Sequence, residues 1–453
     1  MSLRKEPRRR HLLALMAASA SGLLMPEATA APRGPAPGGA GADGLVDALE
    51  RAAHPLRSTD PGVGTADLHA LGAMIGDAEV VGLGEATHGS HEFFAMKERV
   101  FRYLVEERGF TTFALEMSWP AGLLIDEYVQ GGPGGAREIV LDALAGTPWA
   151  RQEFVSLIAW MRGHNQRHPD RTVHFMGDDL GGPKLGDRIF ERVVSSVRTA
   201  APRILTRLVD LYAGLRPFDD FYGYLHKPVE ERRRNAALAQ EALDLVAGRR
   251  HSPDDPYAWT VQHARNIAQT FAFATIDLAD PATVPPAQRL RDQAMADNVL
   301  WWKERTKGRI LLSAHNAHVG YRATDPVTYA RTQGVALRER LGRRYAAIGF
   351  TFAGGTFLVK DASGGAAWTP VSVPPATPGM NEHTLDRVRY RDFYVDLRTV
   401  RAPARAWLAG ARPVYDAGQV FTPDPLPELA LGTAYDVLVH LHRVRAATPL
   451  ARN

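Results

Sequence analysis

From Leu45 onward, short apolar stretches of strand character alternate with stretches whose apolar residues recur at helical spacing, and that alternation admits few architectures. Glu79-Val80-Val81-Gly82-Leu83 reads as a short buried strand bounded by glycines, preceded by a helical pattern from Ala66 to Ile75. Phe93, Met96, Val100, Phe101 and Leu104 then mark His91 to Glu107 as an amphipathic helix closed by Gly109. Phe110 to Leu115 reads as a second strand, Pro120 to Val129 as a helix with proline in its first turn, Gln152 to about His168 as another helix, and Thr172 to Met176 as a third strand. Between about Gly186 and Lys307 the pattern is helical throughout, broken near Pro202, Pro217, Pro228, Pro253 and Pro281. Strand character returns at Arg309 to Ser313 and again at Tyr345–Phe352, Thr356–Val359, Ala367–Val373, Phe393–Leu397 and Tyr435–Leu441. The expected fold is α/β, a central sheet flanked by helices, with a helical subdomain over about 186–307 inserted into a catalytic domain spanning 45–449.

The first 30 residues have a different character. Five basic side chains, Arg4, Lys5, Arg8, Arg9 and Arg10, precede an apolar stretch from Leu12 to Met25, and Ala28-Thr29-Ala30 supplies a small-residue cleavage site before Ala31. This is the pattern of a secretory signal peptide. Arg9-Arg10-His11-Leu12-Leu13 resembles the twin-arginine form, with a general secretory signal as the alternative, so the mature protein is expected to be secreted. The apolar run is too short and too rich in Ala and Ser for a stable membrane anchor. Residues 31–44 (APRGPAPGGAGADG) read as a disordered linker. Without the leader the chain keeps 49 basic against 48 acidic side chains, so it lacks the positive footprint of a nucleic-acid binder. The absence of cysteine excludes disulfides, thiol nucleophiles and cysteine-ligated metals.

In open α/β sheets, ligands bind beyond the carboxyl ends of the strands. Here the first strand runs into Gly84-Glu85-Ala86-Thr87-His88-Gly89, the second ends in Glu116, the third in Asp178 and Asp179, and the fourth in His315-Asn316-Ala317-His318. Imidazole can take a proton from water, a neighbouring carboxylate can orient the ring and stabilise the imidazolium, and further His or Lys donors can hold a developing oxyanion. Ser90 stands where it could cap the next helix. Lys97 falls on the apolar face of that helix, where a charge is costly without a partner; it is expected to reach toward the strand-end carboxylates and is a candidate substrate contact.

Other chemistries lack their motifs. There is no G-x-S-x-G elbow, H-E-x-x-H, P-loop, or G-x-G-x-x-G opening a helix after a strand. His315-x-x-His318 with Glu85 or Glu116 could instead ligate zinc or manganese, which would make the chain a metal- or cofactor-binding protein without turnover.

Gly82-Leu83-Gly84-Glu85-Ala86-Thr87-His88-Gly89, followed by Glu92-Phe93-Phe94, Lys97 and Phe113-Ala114-Leu115-Glu116, closely resembles the opening of the erythromycin esterase family. Ser313-Ala314-His315-Asn316-Ala317-His318 resembles its second signature, and Ala434-Tyr435-Asp436-Val437-Leu438-Val439 its closing strand. The resemblance implies hydrolysis of a small-molecule ester or macrocyclic lactone with no cofactor, no metal and no covalent serine. It implies His88 as the general base and Glu85, Glu116, His315 and His318 as further active-site residues, with Lys97 near a position where some members carry an essential arginine. Glu85 or Glu116 would orient His88, while His315 with His318 would stabilise the oxyanion or protonate the leaving group. A biosynthetic tailoring enzyme, using the same base for intramolecular cyclisation, is the alternative enzyme reading.

Overall fold

The computed structural model describes residues 39–252, 254–361 and 367–450. The expected leader and residues 31–38 of the expected linker lie outside them. The chain resolves into two compact units, one built from the N-terminal part to Phe113, Tyr128–His174 and Gly308 onward, the other from Ala114–Glu127 and Phe175–Lys307.

The strands are β1 (Ala53–Pro55), β2 (Val80–Leu83), β3 (Phe110–Ser118), β4 (His174–Asp179), β5 (Arg309–Ser313), β6 (Tyr345–Phe352), β7 (Gly355–Lys360), β8 (Trp368–Val373), β9 (Phe393–Asp396), β10 (Arg412–Pro413), β11 (Glu428–Leu429) and β12 (Val437–Leu441). The main sheet has the order β1-β9-β12-β6-β2-β5-β3-β4. Strand β3 passes from the first unit into the second, where β4 follows it. Within the first unit β12, β6, β2 and β5 run parallel, with Gly82 opposite Leu312 on one side and Ala347 on the other, while β9 is antiparallel to both β12 and β1. The expected α/β class and helix-flanked sheet are thus observed.

Parallel strands buried on both faces need apolar side chains on both, and β2 and β5 supply them: Val80, Val81, Leu83, Ile310, Leu311 and Leu312 are fully buried. The helix His91–Arg108 covers β6, setting Phe93 edge-on to Phe350 and Phe352 at ring separations of 5.2 and 5.8 Å. It ends where expected, at Gly109, whose φ of 67° is the left-handed conformation glycine adopts without strain. On the other flank Leu45, Val46 and Leu49 share a cluster with Phe393, Val395 and Leu438. Their helix, Gly39–Ala52, begins inside the stretch read as linker up to Gly44. Extending a helix backward from a buried, packed turn costs far less than starting one, so composition alone misplaced that boundary.

The second unit is mainly helical, including Asp187–Ala200, Val229–Ala247, Tyr257–Phe273 and Val284–Thr306, and it begins earlier in sequence than the stretch read as helical. Ile189, Phe190, Val193, Val194 and Val197 form the buried stripe of the first of these. Arg232, itself buried, donates to the carbonyls of Ala274 (2.6 Å) and Ile276 (2.5 Å), satisfying backbone groups just past the end of Tyr257–Phe273. Among the described residues no helix is long and apolar enough to cross a membrane.

Candidate active site

The loop after β2 carries Glu85 and His88 over the carboxyl edge of the parallel strands, and its path is fixed by close backbone approaches. A Cβ on Gly84 would fall 2.1 Å from the Asn316 amide oxygen, and one on Gly89 would fall 2.0 Å from the carbonyl of Leu358 in β7. Asn316 in turn clamps β6, donating to the Phe350 carbonyl at 2.8 Å and accepting from the Phe350 N–H at 3.0 Å. The motif's glycines therefore let β7 and the loop after β5 close onto it. The segment around Ala417 threads alongside, with His88 N–H donating to the Ala417 carbonyl (3.2 Å) and Ala417 N–H to the Ala86 carbonyl (2.8 Å).

Glu85 is fully buried between two donors. Its Oε1 lies 2.5 Å from His88 Nδ1, and its Oε2 accepts from the Lys97 ammonium, which also donates to the Ala314 carbonyl at 3.3 Å. Burial alone would raise the Glu85 carboxyl, but the adjacent Lys97 charge and the His88 hydrogen bond overcome that and hold it below the usual carboxylate range. An ionised Glu85 fixes the His88 tautomer, with the proton on Nδ1 and Nε2 left as a base. Lys97 thus reaches a strand-end carboxylate, as its place on the helix face required.

His315, immediately after Ala314, caps its own short helix, its Nδ1 accepting from Ala317 N–H at 3.2 Å. Its Nε2 lies 3.1 Å from Asp416 Oδ1, and its ring sits 5.0 Å from that of His88. Asp416 is held by the Thr324 hydroxyl at 2.5 Å. Beside it the buried carboxyl of Glu382 accepts from Tyr415 N–H (2.9 Å); burial, aided by the neighbouring Asp416 charge, pushes it up to about 8. Trp149 closes another side of His88, edge-on at 5.7 Å. Asp416, Glu382 and Trp149 escaped sequence reasoning because each arrives from a loop distant in sequence and carries no motif of its own.

The remaining candidates have partners of their own. His318 is fully buried and packs its ring edge-on against Tyr329 at 5.4 Å. Glu116 belongs to the second unit, within β3 rather than beyond it; there Arg291 donates to its Oε1 at 3.0 Å and to Asp179 Oδ2 at 2.6 Å. Asp178 and Asp179 likewise lie within β4, because the strand runs on past Met176 to Asp179. Ser90 occupies the N-cap position, but its hydroxyl meets Thr87 Oγ1 at 2.5 Å instead of capping the helix. Among the described residues no group of three His, Asp or Glu could hold a metal ion. Of the residues named for a zinc or manganese site, Glu85 is paired with His88 and Lys97, and the His318 ring packs on Tyr329.

Comparison with known proteins agrees with this architecture. A family model described as erythromycin esterase matches residues 105–444, beginning after the Glu85–Lys97 segment. Erythromycin esterase type II of Escherichia coli is 26% identical over 326 residues, 66% of this chain and 74% of that protein. A putative hydrolase, YbfO, of Bacillus subtilis (strain 168) is 23% identical over 388 residues, covering 80% and 83%. Among solved structures, a succinoglycan biosynthesis protein superposes with a TM-score of 0.81 at 28% identity, covering 91% of this chain and all of its own (100%). The erythromycin esterase EreC in its open conformation shares the fold, with a TM-score of 0.64 at 17% identity over 85% of this chain and 96% of its own. The chain belongs to the erythromycin esterase family, whose members include esterases.

Proposed function

We propose that the protein hydrolyses a carboxylic ester or lactone of a small molecule, with His88 as general base. The observation that carries this reading is the buried relay Lys97–Glu85–His88 at the carboxyl edge of the parallel strands. Lys97 keeps Glu85 ionised, Glu85 accepts the Nδ1 proton, and His88 Nε2 takes a proton from water as the oxygen attacks the ester carbonyl. The imidazolium formed is stabilised by Glu85 and returns the proton to the leaving alkoxide, giving an alcohol and a carboxylic acid, which releases its proton to solvent as the carboxylate. His315, with Asp416 ready to stabilise its protonated form, is the second acid–base group beside the reacting centre. Family membership and the erythromycin esterase relative support an ester substrate, and macrocyclic lactones belong to that class. Export through the leader at residues 1–30 is part of the proposal, and N-terminal sequencing of secreted protein should read from near Ala31.

The test is turnover in heavy-oxygen water. Hydrolysis places one labelled oxygen in the carboxylate product. An unlabelled product with the mass of the substrate would overturn hydrolysis in favour of intramolecular cyclisation, which needs water excluded while the substrate's own nucleophile is held close.

A further inference from the structure

Two residues beyond Trp149, the side chain of Arg151 is 4% exposed, which is rare for a guanidinium without a carboxylate partner. Its Nη1 donates to the Ala150 carbonyl at 2.9 Å, whereas Nε and Nη2 are buried with no hydrogen-bond partner among the described residues. The carboxylate nearest in sequence, Glu153, is already occupied by His91 Nδ1 (2.6 Å) and Thr448 N–H (3.1 Å). A second cation stands close by. Arg151 lies 5.2 Å over the Trp368 ring and the Lys360 ammonium 5.3 Å over the same ring. Lys360 ends β7, the strand whose Leu358 N–H donates to the Gly89 carbonyl next to His88, and its own N–H is pinned to the Gln419 carbonyl at 2.6 Å.

Four of the unsatisfied buried groups in this part of the chain are donors. Besides the two guanidinium nitrogens, the indole N–H groups of Trp149 and Trp368 are both buried without acceptors among the described residues. An orphaned buried donor costs about 1–3 kcal/mol, more when charged, so this group of donors calls for an acceptor. Burial, opposed only by Glu153, pushes the Arg151 guanidinium down to about 10, so it stays charged at neutral pH, and burial, with a smaller contribution from Arg151, lowers the Lys360 ammonium. Two cations that disfavour each other over one aromatic ring are stabilised by an anion that both can reach.

We propose that Arg151, Lys360 and the indole N–H groups of Trp149 and Trp368 form a subsite for an anionic substituent, carboxylate or phosphoryl, that orients the substrate against His88. This deepens the esterase reading and rests on it for the word substrate, although the anion site itself does not require turnover.

The test uses the full chain and two readouts. The first compares kcat/KM for 4-nitrophenyl benzoate and its 4-carboxybenzoate counterpart in wild type, Arg151→Gln and Lys360→Met. The wild type should favour the anionic ester, and each substitution should lower that ratio by 10-fold or more. The second readout is calorimetric binding of terephthalate and, separately, inorganic phosphate. Both substitutions should weaken binding of the preferred anion at least 10-fold, and the comparison identifies whether carboxylate or phosphoryl is preferred. If neither ester turns over but anion binding is lost in the variants, the subsite stands and the esterase reading falls. If esters turn over with the same anionic-to-neutral ratio in all three proteins, or no anion binds the wild type, the subsite is overturned. Thermal unfolding checks the fold, and should Arg151→Gln not fold, partly buried Lys360 carries the test.

Discussion

Replacing Lys97 by methionine keeps most of the side-chain volume and removes the ammonium in contact with Glu85. In the wild type the relay carries one positive and one negative charge, and His88 is available as a base. Without Lys97 the buried pocket holds a lone negative charge, an arrangement a protein interior avoids by taking up a proton. Wherever the Glu85–His88 pair holds that proton, catalysis is lost: on the ring it consumes the base, and on the carboxyl it removes the group that stabilises the imidazolium. A unit charge at about 4 Å in an effective dielectric of about 20 is worth about 4 kcal/mol, or about three pH units at about 1.4 kcal/mol each. The acid limb of the kcat/KM profile should therefore move upward by about one to three pH units, giving a loss of about 10- to 1000-fold at neutral pH that recovers as pH rises. Lys97→Arg, which keeps the charge, should leave the limb near its original position. The assay is kcat/KM for an activated ester from pH 5 to 10, with unfolding midpoints measured in parallel. A loss in Lys97→Met that is equal at every pH would refute the electrostatic argument and reduce Lys97 to a packing residue.

His88→Asn removes the proposed base while preserving a polar side chain, and kcat should fall by about 100-fold or more with little change in the unfolding midpoint; full activity would move the role to His315 or His318. Glu382 carries a pH signature of its own. Burial raises its carboxyl from 4.5 to about 8, so the folded protein keeps a proton that the unfolded chain releases. Its stabilising contribution is complete below pH 4.5 and is lost as pH climbs toward 8, amounting to about 3 to 5 kcal/mol by pH 9. Glu382→Gln should remove that slope in urea unfolding between pH 6 and 9, and an unchanged slope would mean the carboxyl is ionised in the native protein.

How much of this was legible in sequence follows the range of the interactions. Strands β2, β5 and β6 and the helix His91–Arg108 declare themselves because their burial pattern is written in consecutive residues. Glu85 and His88 are three residues apart on one loop, so local spacing was enough to pair them. Which of Glu85 and Glu116 orients His88 was not legible, since both follow plausible strands; β3 continues to Ser118, and Arg291 donates to Glu116 there. His315 and His318 looked equivalent for the same reason. Residue 315 caps a four-residue helix and residue 318 lies within it, so one ring meets Asp416 and the other Tyr329. Asp416 and Arg151 gave no signal because their partners come from other parts of the chain.

The charge states of the buried carboxyls explain why substrate recognition has to be sought outside the relay. Glu85 and Glu382 are both fully buried, yet a cation ionises the first while the second, lacking one and facing Asp416, stays protonated. Burial is therefore not what makes Glu85 useful; Lys97 is. Because Lys97 and Glu85 cancel, the relay exerts little net pull on a charged substrate at a distance, and the same cancellation leaves His88 free to gain a proton during the reaction. An anionic substrate would meet positive charge only where it is uncompensated. In the proposed subsite that is the Arg151 and Lys360 pair over Trp368, where two guanidinium nitrogens and the indole N–H are buried without an acceptor among the described residues. The chemistry and the recognition are thereby carried by different charges, so substitutions at Lys97 should move the pH profile whereas substitutions at Arg151 should move the choice of substrate.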